Sequence, residues 1–252
     1  MQHAVAFRAV KAREVYQATK KVPDLFWNTY VCRPPAAVVV SWVAESRVTP
    51  NQITLASFVV AAASAALLVG VPGHVGLIAA ILVYELSYVL DCADGMLARL
   101  RKVASPAGHL LDFLMDELKA FLILGASAVR LYLEHRDATF LLVGIFGLVM
   151  LASGIAMTTF ERRPEIVATL AARHESLEPR PTTPMEAAQA SFSPLRLPMA
   201  VLKLLVHYPS YIWIAAAVGR LELYFWPYVA VHTLYALRSL LLVAHRFGRA
   251  RA

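Results

Sequence analysis

The sequence predicts an all-α integral membrane protein: six transmembrane helices preceded by an N-terminal interfacial amphipathic helix. Composition comes first. Of 252 residues, 59% are hydrophobic and 16% are charged, with a mean hydropathy of +0.58. Soluble domains run nearer about 45–50% apolar and about 25% charged. Six stretches are also apolar over the roughly 20 residues needed to cross ~30 Å of hydrocarbon. Finally, the cations gather between those stretches in a one-sided pattern. Together these observations exclude a disordered chain, a coiled coil and an ordinary soluble enzyme. The net charge of +7 does not imply a nucleic-acid partner, because membrane proteins collect Lys and Arg in cytoplasmic loops. Cys32 and Cys92 are too few for a disulfide framework.

Residues 1–48 form an N-terminal cytoplasmic or interfacial helical segment. Arg8, Lys11, Arg13, Lys20 and Lys21 are spread through it without the apolar run of a signal peptide. The stretch Pro35 to Val43, with Trp42 near its end, reads as a helix in the membrane interface. A soluble helix packed on the loops is the alternative. Residues 49–246 hold the six spans: Ile53–Gly70, Gly76–Leu100, Ala107–Leu133, Ala138–Phe160, Met199–Gly219 and Leu223–His245. The polar, proline-containing stretch Glu161 to Pro198 is a loop rather than a second domain, and 247–252 are a tail.

Cation placement sets the orientation. Twenty of the 24 Lys and Arg fall on the side shared by the N-terminus, the second–third loop, the fourth–fifth loop and the C-terminus. Arg130, Arg136 and Arg220 fall on the other, and Lys119 lies within a span. Both termini are therefore expected in the cytoplasm, of the inner membrane if the source is bacterial.

Charged side chains inside spans are costly and point to function. Asp91, Asp94, Gly95 and Ala98 stand at i, i+3, i+4 and i+7, one face of the second span. Gly108, Asp112 and Asp116 form an i, i+4, i+8 stripe on the third, which Lys119 continues. The short link from Arg101 to Pro106 makes the two helices antiparallel neighbours, so the stripes can bring four carboxylates into one cleft. Four carboxylates that close repel unless cations neutralise them. Oxygen donors without Cys or His on the stripes favour Mg²⁺, Mn²⁺ or Ca²⁺, and such a site suits phosphoryl transfer. Gly95 and Ala98 leave room for a ligand, and Arg99 offers a fork for a phosphate. Any one of these Asp residues taken alone has a structural alternative, as a partner of Lys119 or Arg99. Lys119 is expected to pair with Asp116 or Glu117, and Cys92 to pack as a small core residue.

Written out, the stretch is Asp91-x2-Asp94-Gly95-x2-Ala98-Arg99-x8-Gly108-x3-Asp112-x3-Asp116. It resembles the signature of the CDP-alcohol phosphotransferase (phosphatidyltransferase) family at all eight positions. Thr49-Pro50-Asn51 at the opening of the first span is similar too, and the resemblance extends from about Arg47 to Phe160. It implies a multi-pass enzyme of phospholipid biosynthesis, expected as a homodimer, with its active site at the cytoplasmic face. Asp91, Asp94, Asp112 and Asp116 would hold two divalent ions, Mg²⁺ or Mn²⁺. Asp94, Gly95, Ala98, Arg99 and Gly108, with Asn51 and Thr54, would bind the nucleotide. Asp116 would be the catalytic base for the acceptor hydroxyl, and Arg162 and Arg163 would bind the acceptor.

The reaction so implied transfers a phosphatidyl group from CDP-diacylglycerol to an alcohol or polyol phosphate, releasing CMP. Transfer of a phospho-headgroup from a soluble CDP-alcohol to a lipid or polyol hydroxyl is the alternative. A divalent-cation carrier is the reading from a different class. It explains the carboxylates but not the Gly95, Ala98 and Arg99 interleaved with them.

Overall fold

The computed structural model describes residues 11–21, 24–172 and 207–248, and these are helical without a strand. The helices are α1 (Ala12–Ala18), α2 (Arg33–Val43), α3 (Pro50–Gly70), α4 (Gly73–Leu100), α5 (Pro106–His135), α6 (Thr139–Glu161), α7 (Pro164–Ala172), α8 (Ile212–Val218) and α9 (Glu222–Gly248). A π-helical turn, Asn28–Cys32, leads directly into α2, and a 3₁₀ turn, Tyr208–Ser210, precedes α8. Among the described residues, α3, α4, α6 and α9 are long and apolar enough to cross a membrane. α5 is long enough at 30 residues, but Asp112, Asp116, Glu117, Lys119, Arg130 and Glu134 interrupt its apolar surface.

The expected fifth span takes a different form where it is described. Residues 199–206 lie outside the described residues, as do 1–10, 22–23, the loop residues 173–198 and the tail residues 249–252. From His207 the chain turns through Tyr208–Ser210 and forms only the seven residues of α8. Pro209 has no N–H to give a continuing helix. The His207 and Ser210 side chains bond each other, and Trp213 donates its indole N–H to the Ser210 carbonyl at 3.0 Å. Gly219, at φ +76°, closes α8 in the left-handed conformation that suits glycine.

The described chain divides into two compact units. One comprises residues up to 67 together with 79–123. Its apolar core joins Val15 of α1 and Ala36, Ala37 and Val40 of α2 to Ile53 of α3 and Ala93, Met96 and Leu97 of α4. Ala36, Ala37 and Val40 of α2 are buried in this packing, while Trp42 is 77% exposed. α3 and α4 are tied by hydroxyls, Ser87 donating to the Ser57 carbonyl at 2.8 Å and Ser64 to the Ala80 carbonyl at 2.7 Å.

Arg101, just past α4, closes this unit. Its guanidinium donates to the carbonyls of Val43 (2.6 Å), Ala44 (3.0 Å), Ser46 (2.9 Å) and Val48 (2.5 Å). The last carbonyls of a helix lack intrahelical partners, and here one side chain satisfies those at the end of α2 and through the link to α3.

The other unit comprises residues 68–78 and 124 onward. α6 turns Gly144, Gly147, Leu151 and Gly154 inward, and its three glycines let helices approach closely. A Cβ on Gly144 would sit 2.3 Å from that of Ala128, and one on Gly147 would sit 2.9 Å from the Val229 side chain. Arg130 plays a part like that of Arg101. It donates to the carbonyls of Leu68 (3.1 Å), Val71 (3.0 Å) and Gly73 (2.6 Å), and pairs with Glu134 at 2.8 Å.

Candidate active site

The candidate site lies within the first unit, where α3, α4 and the first half of α5 supply its side chains. The N-terminus of α5 is built by Ser105, whose hydroxyl accepts from the Gly108 N–H at 3.1 Å, as an N-cap does. Pro106 follows as the first helical residue, where its missing N–H costs nothing. Gly108 permits close approach here, since a Cβ would meet Ser105 Oγ at 3.2 Å and Asn51 Oδ1 at 3.4 Å. Asn51 of α3 thereby reaches the start of the α5 stripe.

Asp91, Asp112 and Asp116 each present a carboxylate oxygen, and these oxygens all lie within 4.8 Å of one another. Exposure differs across the trio: the Asp91 side chain is 13% exposed and that of Asp116 is 51% exposed. Asp94 is not one of this trio. It is 5% exposed and accepts a hydrogen bond from the Thr54 hydroxyl of α3. Thus the stripes converge, and one of the four carboxylates also accepts from a neighbouring helix.

Lys119 completes the cluster. It is 2% exposed, and its ammonium pairs with Asp91 and, at 3.1 Å, with Asp116. The pairing with Asp116 follows from i,i+3 spacing on one helix. The bond to Asp91 joins α4 to α5 and has no counterpart in the sequence pattern. A cation already stabilised among these carboxylates shows that positive charge is favourable there. Three carboxylate oxygens this close together could hold a metal ion.

Gly95 has a more local use than the ligand room expected of it. A Cβ there would lie 3.3 Å from Nη1 of Arg99, so the guanidinium lies over the bare backbone one turn before it. Arg99 also donates to the Thr19 carbonyl at 3.2 Å, which fastens the segment after α1 to the end of α4. Ala98 is half-buried, and its carbonyl accepts from the Val103 N–H at 3.0 Å. Arg162 and Arg163 are exposed at the end of α6, in the other unit.

Sequence reasoning missed a polar chain running back from α4 into the N-terminal segment. Tyr88 donates to Asn28 Oδ1 at 2.7 Å, Asn28 donates to Asp24 at 3.3 Å, and Asp24 pairs with Arg33 at 2.5 Å. Tyr88 lies three residues before Asp91, on the same helix face, and that spacing is the signal that could have found it. Asp24 has no periodic relation to the motif.

Apolar helices able to cross a bilayer, with carboxylates converging on an internal ammonium, define a helical membrane protein whose cluster can hold a metal ion. The chain belongs to the CDP-alcohol phosphatidyltransferase family, a family of transferases, whose model matches residues 47–223. It is also similar to a protein of Archaeoglobus fulgidus named bifunctional IPC transferase and DIPP synthase. The two are 36% identical over 107 residues, which make up 42% of this chain and 20% of that protein. The match thus spans about a fifth of the relative's length.

Proposed function

We propose that the protein transfers a phosphatidyl group from CDP-diacylglycerol to the hydroxyl of an alcohol or polyol phosphate, releasing CMP. The observation that carries this reading is the convergence of Asp91, Asp112 and Asp116 within 4.8 Å at motif positions of the family. Two divalent ions, Mg²⁺ or Mn²⁺, would be held by these residues with Asp94 behind them. When bound, such ions neutralise a diphosphate and stabilise the leaving phosphate in an in-line displacement.

The chain's own residues do the rest. Asp116, the most open carboxylate of the trio, takes the proton from the acceptor hydroxyl. That oxygen forms its bond to the β-phosphorus while the bond from this phosphorus to the bridging oxygen breaks, and CMP leaves. Arg99, Gly95, Ala98, Gly108, Asn51 and Thr54 border the nucleotide. Arg162 and Arg163 bind the acceptor.

Residues 49–246 form the catalytic domain in this reading, with both termini and the site in the cytoplasm. Residues 1–48 lie at the interface, 247–252 are a tail, and two copies pair as a homodimer. That α4, which carries the first half of the motif, is apolar enough to cross a membrane supports a lipid-linked donor, and the transferase relative supports the reaction class.

The test is CMP release by the purified protein, comparing CDP-diacylglycerol with soluble CDP-alcohols, each with Mg²⁺ or Mn²⁺. Inositol phosphate, glycerol phosphate, serine and inositol are the acceptors to screen. CMP formed only from CDP-diacylglycerol and one of these is the expected result. Release from a soluble CDP-alcohol alone would favour headgroup transfer. No release at all, with metal uptake into vesicles, would favour the carrier.

A further inference from the structure

We propose that Lys119 is a displaceable resident cation of the carboxylate centre: its ammonium holds Asp91 and Asp116 together and gives way when a divalent ion binds there. The inference rests on reading the trio as a metal centre, and on neither the donor nor the acceptor.

The geometry makes the competition explicit. Lys119 Nζ bonds an oxygen of Asp91 on α4 and an oxygen of Asp116 on α5, and both carboxylates belong to the trio. Three carboxylates within 4.8 Å repel across the seam between two helices. One ammonium supplies a compensating positive charge to that group. Lys119 is buried, so its charge acts with little solvent screening, and removing it would leave the carboxylates to face one another. A divalent ion draws on the same oxygens and brings twice the charge.

Lys119 is in this sense a positioning residue. It keeps the site assembled before loading and sets the concentration at which metal enters. A lysine suits that task because its flexible stem carries a compact ammonium. Glu117, the other partner expected for Lys119, makes no such pair with it among the described residues.

The experiment compares metal-free wild type and Lys119→Met in detergent, by Mn²⁺ titration followed through the EPR signal of free Mn²⁺ and by thermal unfolding. Methionine keeps the length of the stem and removes the charge. The expected result is a Mn²⁺ affinity about tenfold tighter or more in K119M, the scale of an ion-pair interaction near 4 Å. Its metal-free Tm should be lower and should recover with Mn²⁺ by more than wild type gains. A merely structural lysine would lower the Tm without tightening the metal.

K119M binding Mn²⁺ no more tightly than wild type overturns the inference. Should K119M fail to fold, amine labelling of wild type read by mass spectrometry decides. Labelling of Lys119 that rises several-fold with Mn²⁺ supports displacement, and unchanged labelling refutes it. A wild type that binds no Mn²⁺ overturns the metal-centre reading as well. Mn²⁺ binding with the expected K119M shift but no CMP release overturns only the transfer reaction.

Discussion

Thr54 of α3 donates its hydroxyl hydrogen to Asp94 of α4, and neither residue is open to solvent. A motif carboxylate on one helix is thus held by a residue forty positions earlier on another. Thr54→Val should leave Asp94 buried with one fewer donor. The expected loss is about 2 kcal/mol of stability, the scale of a hydrogen bond to a charged group. Thr54→Ser should stay close to wild type. Unfolding in detergent measures both, and a valine variant as stable as wild type would remove the bond's structural role.

Asp116→Asn keeps the shape of the side chain and removes its basicity. Turnover should fall by about 10²–10⁴-fold, the usual contribution of a positioned general base, while CDP binding stays measurable. Asp91→Asn should instead weaken metal-dependent CDP binding itself. CMP release and CDP binding, followed side by side, separate the two effects. Near-normal turnover in Asp116→Asn would end its assignment as base.

Arg101 satisfies four backbone carbonyls at the end of α2 and beyond it. Arg101→Ala should cost about 2–4 kcal/mol, because several charge-assisted bonds are lost together. Arg101→Lys should recover only part of that, since an ammonium lacks the planar fork. The same variants should become easier to cleave between Ala44 and Thr49, read by limited proteolysis. Unchanged cleavage and stability in Arg101→Ala would show the bonds to be dispensable.

Gly144→Ala would place a Cβ 2.3 Å from that of Ala128, far inside contact distance. Two helix surfaces must then move apart, at a cost of about 1–3 kcal/mol or more. Gly125→Ala is the matched control, with its nearest contact at an ordinary 3.9 Å from Leu148. A thermal shift confined to the Gly144 variant is the expected pattern.

The motif spacing was readable in the sequence because a helix converts i, i+3 and i+4 into one face. Asp91, Asp112 and Asp116 converge on that logic. The bond from Thr54 to Asp94 was not readable, since the Thr54 helix contributes a hydroxyl without a recognisable pattern. Arg101 and Arg130 counted in the sequence only as cations that report topology. Their bonds to other elements are to main-chain carbonyls, which every residue carries, so composition cannot reveal them. Hydropathy likewise read the chain through Pro209 as continuous span, because an apolar average does not register a missing N–H. Lys119 was legible as a partner of Asp116 through their shared helix, whereas for Asp91 it was only one of two partners the sequence left open, with Arg99.

The clamp by Arg101 has a mechanical consequence. Arg101 directly follows the last residue of α4, and its bonds rivet the end of that helix to the corner between α2 and α3. The helix that carries Asp91 and Asp94 therefore cannot slide or tilt at this end without dragging that corner along. Trp42, one residue before the first clamped carbonyl, moves with it. The exposed Trp42 thus adjoins the same corner that anchors the end of the motif-bearing helix.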